Sequence, residues 1–113
     1  MNSSIKELLE YTLKVGASDL HLSVGSKPMV RIHGIIKQLD LPVMDLKSMV
    51  DIKDSILNKH QHKMFEDKLE IDFSAALKGQ GRFRVNFFTQ INGLSAVFRA
   101  IPDEIKSSEE LGI

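Results

Sequence analysis

The chain has 113 residues, with 15 Lys+Arg against 15 Asp+Glu, 42% hydrophobic residues and no cysteine. A chain of this length buries roughly two-thirds of the surface its unfolded form exposes, so one core suffices without disulfides or a structural metal. The missing cysteines exclude a disulfide framework, a cysteine zinc site and a thiol nucleophile, and no apolar run approaches the roughly 18 residues of a membrane span.

The N-terminus MNSSIKELLEYTLK has no signal-peptide h-region, so a soluble, cytoplasmic chain is expected. Ser4 and Glu7 read as a capping box, after which Ile5, Leu8, Leu9 and Leu13 recur at helical spacing until Gly16. The period then becomes two: Leu20, Leu22 and Val24 on one face of a strand, Asp19, His21 and Ser23 on the other. Gly25 to Pro28 turns the chain into a strand from Met29 to His33, and Gly34 separates it from another, Ile35 to Leu39. Asp45 caps a predicted helix carrying Leu46, Met49, Val50, Ile56 and Leu57, and Asn58 with Gln61 starts a third helix through Phe65. From Leu69 the period is two again, through EIDFSAAL, RFRVNFF and LSAVFRAI. The order predicts an α+β domain, PAS-like, with a mostly antiparallel sheet of about six strands and about three helices on one face. Ser107 and Glu110 form a further helix start with no helix behind it before Ile113, which reads as the entrance to a second domain.

Overall neutrality hides a segregation of charge. Residues 73–102 hold Lys78, Arg82, Arg84 and Arg99 and no acid, whereas residues 103–113 hold four acids and one base. Strand alternation sends Arg82, Arg84 and Asn86 to one face and Phe83, Val85 and Phe87 to the core. A two-residue turn at Asn92-Gly93 pairs Ile91 with Leu94, Asn86 with Arg99 and Arg84 with Ile101, which puts Arg99 on the face of Arg82 and Arg84. A one-residue slip would turn Arg99 away. Three guanidiniums on one sheet face demand something negative, because each is charged at any relevant pH. A phosphate is the expected ligand; Glu70 and Asp72 on the preceding strand are the internal alternative.

Other motifs carry less. His21 and His33 on neighbouring strands, and His60-x-His62 on a helix where i and i+2 do not face each other, give no expected metal site. Asp19 and His21 share a strand face, but no motif places a serine nucleophile beside them. Gly25-Ser26-Lys27 lacks the first glycine of a phosphate loop, and Pro28 holds Lys27 extended where a helix must begin. Phe and Arg on opposite faces of RFRVNFF, in a neutral chain, argue against nucleic acid.

Gly16-Ala-Ser-Asp-Leu-His-Leu22, Gly81-Arg-Phe-Arg-Val-Asn-Phe87 and Phe98-Arg-Ala-Ile-Pro102 together resemble the N-terminal domain of the twitching-motility retraction ATPases of type IV pili, the PilT family. Pro28-Met-Val-Arg-Ile-His-Gly34 and the closing Glu-Glu-Leu-Gly extend the likeness over essentially the whole chain. The resemblance implies a PAS-like domain over 1–102, an acidic linker over 103–113 and an absent RecA-like ATPase core, in a hexamer at the inner face of the membrane with the pilus machinery. It implies that Arg82, Arg84 and Arg99 reach the phosphates of ATP held, with Mg, by the core domain of the same or a neighbouring subunit. Asp19, His21 and Arg31, read as facing outward, are the candidate ring interface. No Walker A lysine, Walker B acid or histidine box occurs in these residues, so the chain alone is not expected to be an enzyme or to hold ATP tightly. A neutral domain with no long apolar stripe left over after its core is filled, and with only half of the ring contact that the resemblance implies, is expected to be a monomer or weak dimer. The competing expectation is a free-standing PAS-like sensor with a small ligand in its core.

Overall fold

The computed structural model describes residues 1–91 and 93–102. The chain runs α1 (Ser3–Lys14), β1 (Asp19–Ser23), β2 (Met29–Ile32), β3 (Ile35–Gln38), α2 (Leu46–Ile56), α3 (Lys59–Lys68), β4 (Glu70–Leu77), β5 (Gly81–Gln90) and β6 (Gly93–Ile101). The six strands form one sheet in the order β3-β2-β1-β6-β5-β4, antiparallel throughout. Each half of the chain makes a three-stranded meander, and the halves join through β1 and β6. This is the expected α+β architecture. The helix start predicted at Ser107 and the acidic linker over 103–113 lie outside the described residues.

Local chemistry explains the helix boundaries. Asn58 and Gln61 form the predicted reciprocal capping box of α3, and Asp45 accepts from the Ser48 N–H at 2.8 Å to start α2. The start of α1 differs from the expectation: Asn2, not Ser4, is the cap, its Oδ1 accepting from the Ile5 N–H at 3.0 Å. An asparagine two residues upstream offers an equally good acceptor, and using it lengthens the helix.

The helices cover one face of the sheet. Ile5 and Leu9 of α1, Met49 and Ile52 of α2 and Phe65 of α3 join Leu20, Leu22, Val30, Phe83, Val85, Phe87 and Phe98 in a single core. Phe87 meets Phe98 edge to face at 5.9 Å between ring centroids and stacks on Phe73 at 6.3 Å. Because side chains alternate along a strand, burying this set presents Asp19, His21, Arg31, Arg82, Arg84, Asn86 and Arg99 on the face opposite the helices.

The β5–β6 register is displaced from the predicted one. The ladder closes on Gln90 with Gly93, so Thr89 faces Leu94 and Arg84 faces Arg99, not Ile101. Gly93 has φ of +121° at the first residue of β6, where a built Cβ would meet Val24, so the glycine opens the strand instead of sitting at the tip of the turn. Asn92 itself lies outside the described residues. The displacement is two residues, an even number, and every side chain keeps its predicted face.

Phe83 and Phe87 are each completely buried. Replacing either with alanine is expected to cost about 3–5 kcal/mol, read as a shift of the urea unfolding midpoint, while Arg82→Ala shifts stability by less than about 0.5 kcal/mol. A double Phe83/Phe87 alanine variant of undiminished stability would contradict this core.

Candidate functional site

The face opposite the helices carries a transverse row of aligned residues: Ile36 on β3, Arg31 on β2, Asp19 on β1, Arg99 on β6, Arg84 on β5 and Ser74 on β4. Three guanidiniums on adjacent or near-adjacent strands would repel one another, and two carboxylates divide them. Asp19 lies between Arg31 and Arg99. Its Oδ2 accepts from Arg31 Nε at 3.3 Å and sits 3.3 Å from His21 Nε2, while its Oδ1 is 3.6 Å from Arg99 Nε. Arg31 also donates to the Gly34 carbonyl at 3.2 Å.

Asp19 is only 6% exposed, which corrects the expectation that it faces outward as free interface surface. The strand does turn it to the outer face, but the side chains of its neighbours close over it. Burial alone pushes its carboxyl up; the His21 and Ser18 hydrogen bonds and then the Arg99 charge outweigh that and hold it below its ordinary 3.8. His21 and Arg31 keep partial access to solvent, with side chains 28% and 40% exposed.

Arg84 leans the other way. It donates from Nε to Asp72 Oδ1 at 3.0 Å and from Nη2 to Asp72 Oδ2 at 3.1 Å, a two-pronged pair that raises the guanidinium's affinity for its proton. Asp72 faces Asn86 and Ser74 faces Arg84, so the pair is diagonal across β4 and β5. The internal alternative is therefore met at Arg84 by Asp72, while Glu70 forms no recorded ion pair with the arginines among the described residues. Arg82 faces Ala76 and Ile101, neither of which can accept a hydrogen bond through its side chain, and it is exposed.

Arg84 and Arg99 stand directly opposite on β5 and β6, yet the first is drawn toward β4 and the second toward β1. Between them lies a shallow depression of about 280 Å³, lined by Asp72, Arg84, Asn86, Val97 and Arg99. Both arginine side chains remain about two-thirds exposed, at 66% and 67%. The depression has room for a phosphoryl group and lies against guanidiniums that keep unused N–H donors. A larger cavity of about 680 Å³ opens between α1, α2 and the 39–45 segment. Glu7, Asp40 and Asp51 line it and no base among the described residues does, which makes it hostile to a phosphate. The interior, where a sensor of the PAS type would keep its ligand, is filled by Phe83, Phe87 and Phe98.

Sequence reasoning placed Arg82, Arg84 and Arg99 on one face, and parity along the strands was enough for that. The central part of Asp19 was missed. Its strand position was legible, but its pairing with Arg99 links residues 80 positions apart in the chain.

No protein-family model matches the chain. It is 47% identical over 96% of its length to the type IV pilus retraction ATPase PilT of Pseudomonas aeruginosa, and 43% identical over 74% of its length to a twitching motility protein of Neisseria gonorrhoeae. It spans 32% and 22% of those proteins, respectively. The crystal structure of the pilus retraction motor PilT with bound ADP superposes on 88% of this chain and 29% of its own, with a TM-score of 0.80 and 35% identity. The Legionella pneumophila ATPase DotB shares the fold, with a TM-score of 0.74 over 93% of this chain and 33% of its own, at 16% identity.

Asp19→Asn is expected to destabilise the protein by about 2 kcal/mol at pH 7, since it leaves Arg31 and Arg99 without their shared partner. A carboxyl depressed in the folded state contributes fully above its unfolded value of 3.8, and that contribution is lost as pH falls through the lower folded value. The gap between wild type and variant in urea unfolding should therefore narrow below pH 3.8. A gap that does not change with pH would mean that Asp19 acts through packing alone.

Proposed function

From a chain homologous to the N-terminal region of the type IV pilus retraction ATPase PilT, we propose the N-terminal domain of a hexameric pilus-retraction motor, which supplies arginines to ATP phosphates held by a separate core domain. The observation that carries this reading is the depression between Arg84 and Arg99, with Arg82 beside it, on the sheet face that no helix among the described residues covers. In this reading the face meets ATP through its phosphates alone, once the core domain holds the nucleotide. The face offers guanidinium donors for a polyanion but no pocket for adenine or ribose among the residues that line it, so the nucleoside belongs to the core. Its two central carboxylates are committed to guanidiniums, so Mg belongs with the core as well.

Guanidiniums aimed at a transferring phosphoryl group stabilise the charge that spreads over its oxygens in the transition state. In this reading Arg82, Arg84 and Arg99 act when the domain closes on a core domain of its own or a neighbouring subunit. The chain by itself neither hydrolyses ATP nor binds it tightly, because exposed arginines alone are screened by water and salt. Asp19 then serves the ring from beneath, holding Arg31 and Arg99 at the surface, while His21 and Arg31 form part of the contact with the neighbouring subunit. The motor works on the cytoplasmic side of the inner membrane with the pilus machinery.

In the full-length ATPase, alanine at Arg82, Arg84 or Arg99 should lower turnover on the order of a hundredfold. Thermal melting should be least affected for Arg82, whose side chain has no ion-pair partner among the described residues, and most for Arg99, which shares a buried carboxylate. Melting that falls sharply while turnover per folded molecule holds would make the arginines structural and overturn the proposal.

A further inference from the structure

The aim of Arg84 matters if this face meets a phosphate, and so rests on the functional reading above. A guanidinium has two edges that can grip an oxygen pair: one made by Nε and a terminal nitrogen, the other by its two terminal nitrogens. Asp72 takes the first edge of Arg84, through Nε and Nη2 at 3.0 and 3.1 Å. The second edge, with Nη1 and the remaining N–H of Nη2, has no hydrogen-bond partner among the described residues and belongs to a side chain that lines the depression.

The rest of the environment favours this orientation. Ser74, the residue directly opposite Arg84, is small, which leaves the long arginine free to reach past it to Asp72 on the diagonal. Asn86, the residue that Asp72 faces, donates through its side chain to the Ile71 carbonyl at 3.3 Å and so does not compete for the carboxylate. Arg99, across the ladder, is engaged by Asp19 and so leaves Asp72 to Arg84, while both arginines line the depression.

We propose that Asp72 is a positioning residue: its two-pronged grip on the Nε edge of Arg84 turns the terminal edge toward the phosphate that enters the depression. An exposed ion pair of this kind adds little to stability, since side-chain entropy and water offset its attraction. Its value lies in orientation. A long side chain held in one plane before the phosphate arrives has less freedom to lose in the transition state.

The test is steady-state ATP hydrolysis by the full-length hexamer, comparing wild type, Asp72→Asn, Arg84→Ala and the double variant, with melting recorded for each. Asparagine keeps the shape of Asp72 but puts an amide donor against a guanidinium donor, which breaks the grip. The expected result is a kcat about tenfold lower for Asp72→Asn, with KM for ATP changed by less than about twofold and melting unmoved, because the lost interaction is one made in the transition state. In the Arg84→Ala background, Asp72→Asn should have no further effect. A kcat that Asp72→Asn leaves unchanged or raises, while Arg84→Ala lowers it, overturns the proposal and leaves the role of the arginines intact. So does an equal fall in both backgrounds, which would mean that Asp72 acts by another route. If Arg84→Ala itself leaves kcat unchanged, the functional reading fails first, and this inference falls with it.

Discussion

The pairing of β1 with β6 is the constraint on which the rest of this domain depends. It joins two three-stranded meanders, one from each half of the chain, that share no other strand pairing among the described residues. Its register sets both faces at once. Leu20 opposite Phe98 lies on the helix-covered side, both completely buried, and Asp19 opposite Arg99 lies on the other. A slip of one residue would carry Asp19 into the core and Leu20 into water, so the hydrophobic effect that holds the register also holds the ion pair.

From that register follows the electrostatic order of the open face. A sheet covered by helices on one side must leave its other side polar, and here that side concentrates the arginines of a stretch that contains no acid. The acids that balance them come from elsewhere in the chain: Asp19 from β1 and Asp72 from β4, on strands to either side of β6 and β5. Each draws one arginine outward. The facing pair Arg84 and Arg99, which by Coulomb repulsion alone would be a liability, thereby frames a depression open to an anion.

The two carboxylates differ in kind. Asp19 is enclosed by three cationic or ionisable partners and contributes to the fold as well as to the face. Asp72 sits on the edge strand β4, with its side chain 45% exposed, and among the described residues its ion pair is with the arginine it aims. Burial separates a charge whose pairing contributes to the stability of the fold from one whose effect is confined to geometry at the surface.

Much of this was written in the local sequence. The element order, the caps at Asp45 and Asn58 and the partition of β5 into a phenylalanine side and an arginine side all depend on interactions within a few residues, and period-two alternation carries face information along any strand. The start of α1 was misjudged because Asn2 and Ser4 are both competent caps and the sequence does not rank them. The turn before β6 was misplaced because Asn-Gly marks the presence of a tight turn but not its exact register, and the ladder closes on Gln90 with Gly93. That error was harmless to the arginine face, since a shift by two preserves parity. What only the tertiary structure decided is which carboxylate meets which arginine. Asp19 and Arg99 are 80 residues apart, and Asp72 reaches Arg84 along a diagonal; both contacts exist only once long-range strand pairing has set the register, and no local spacing encodes that.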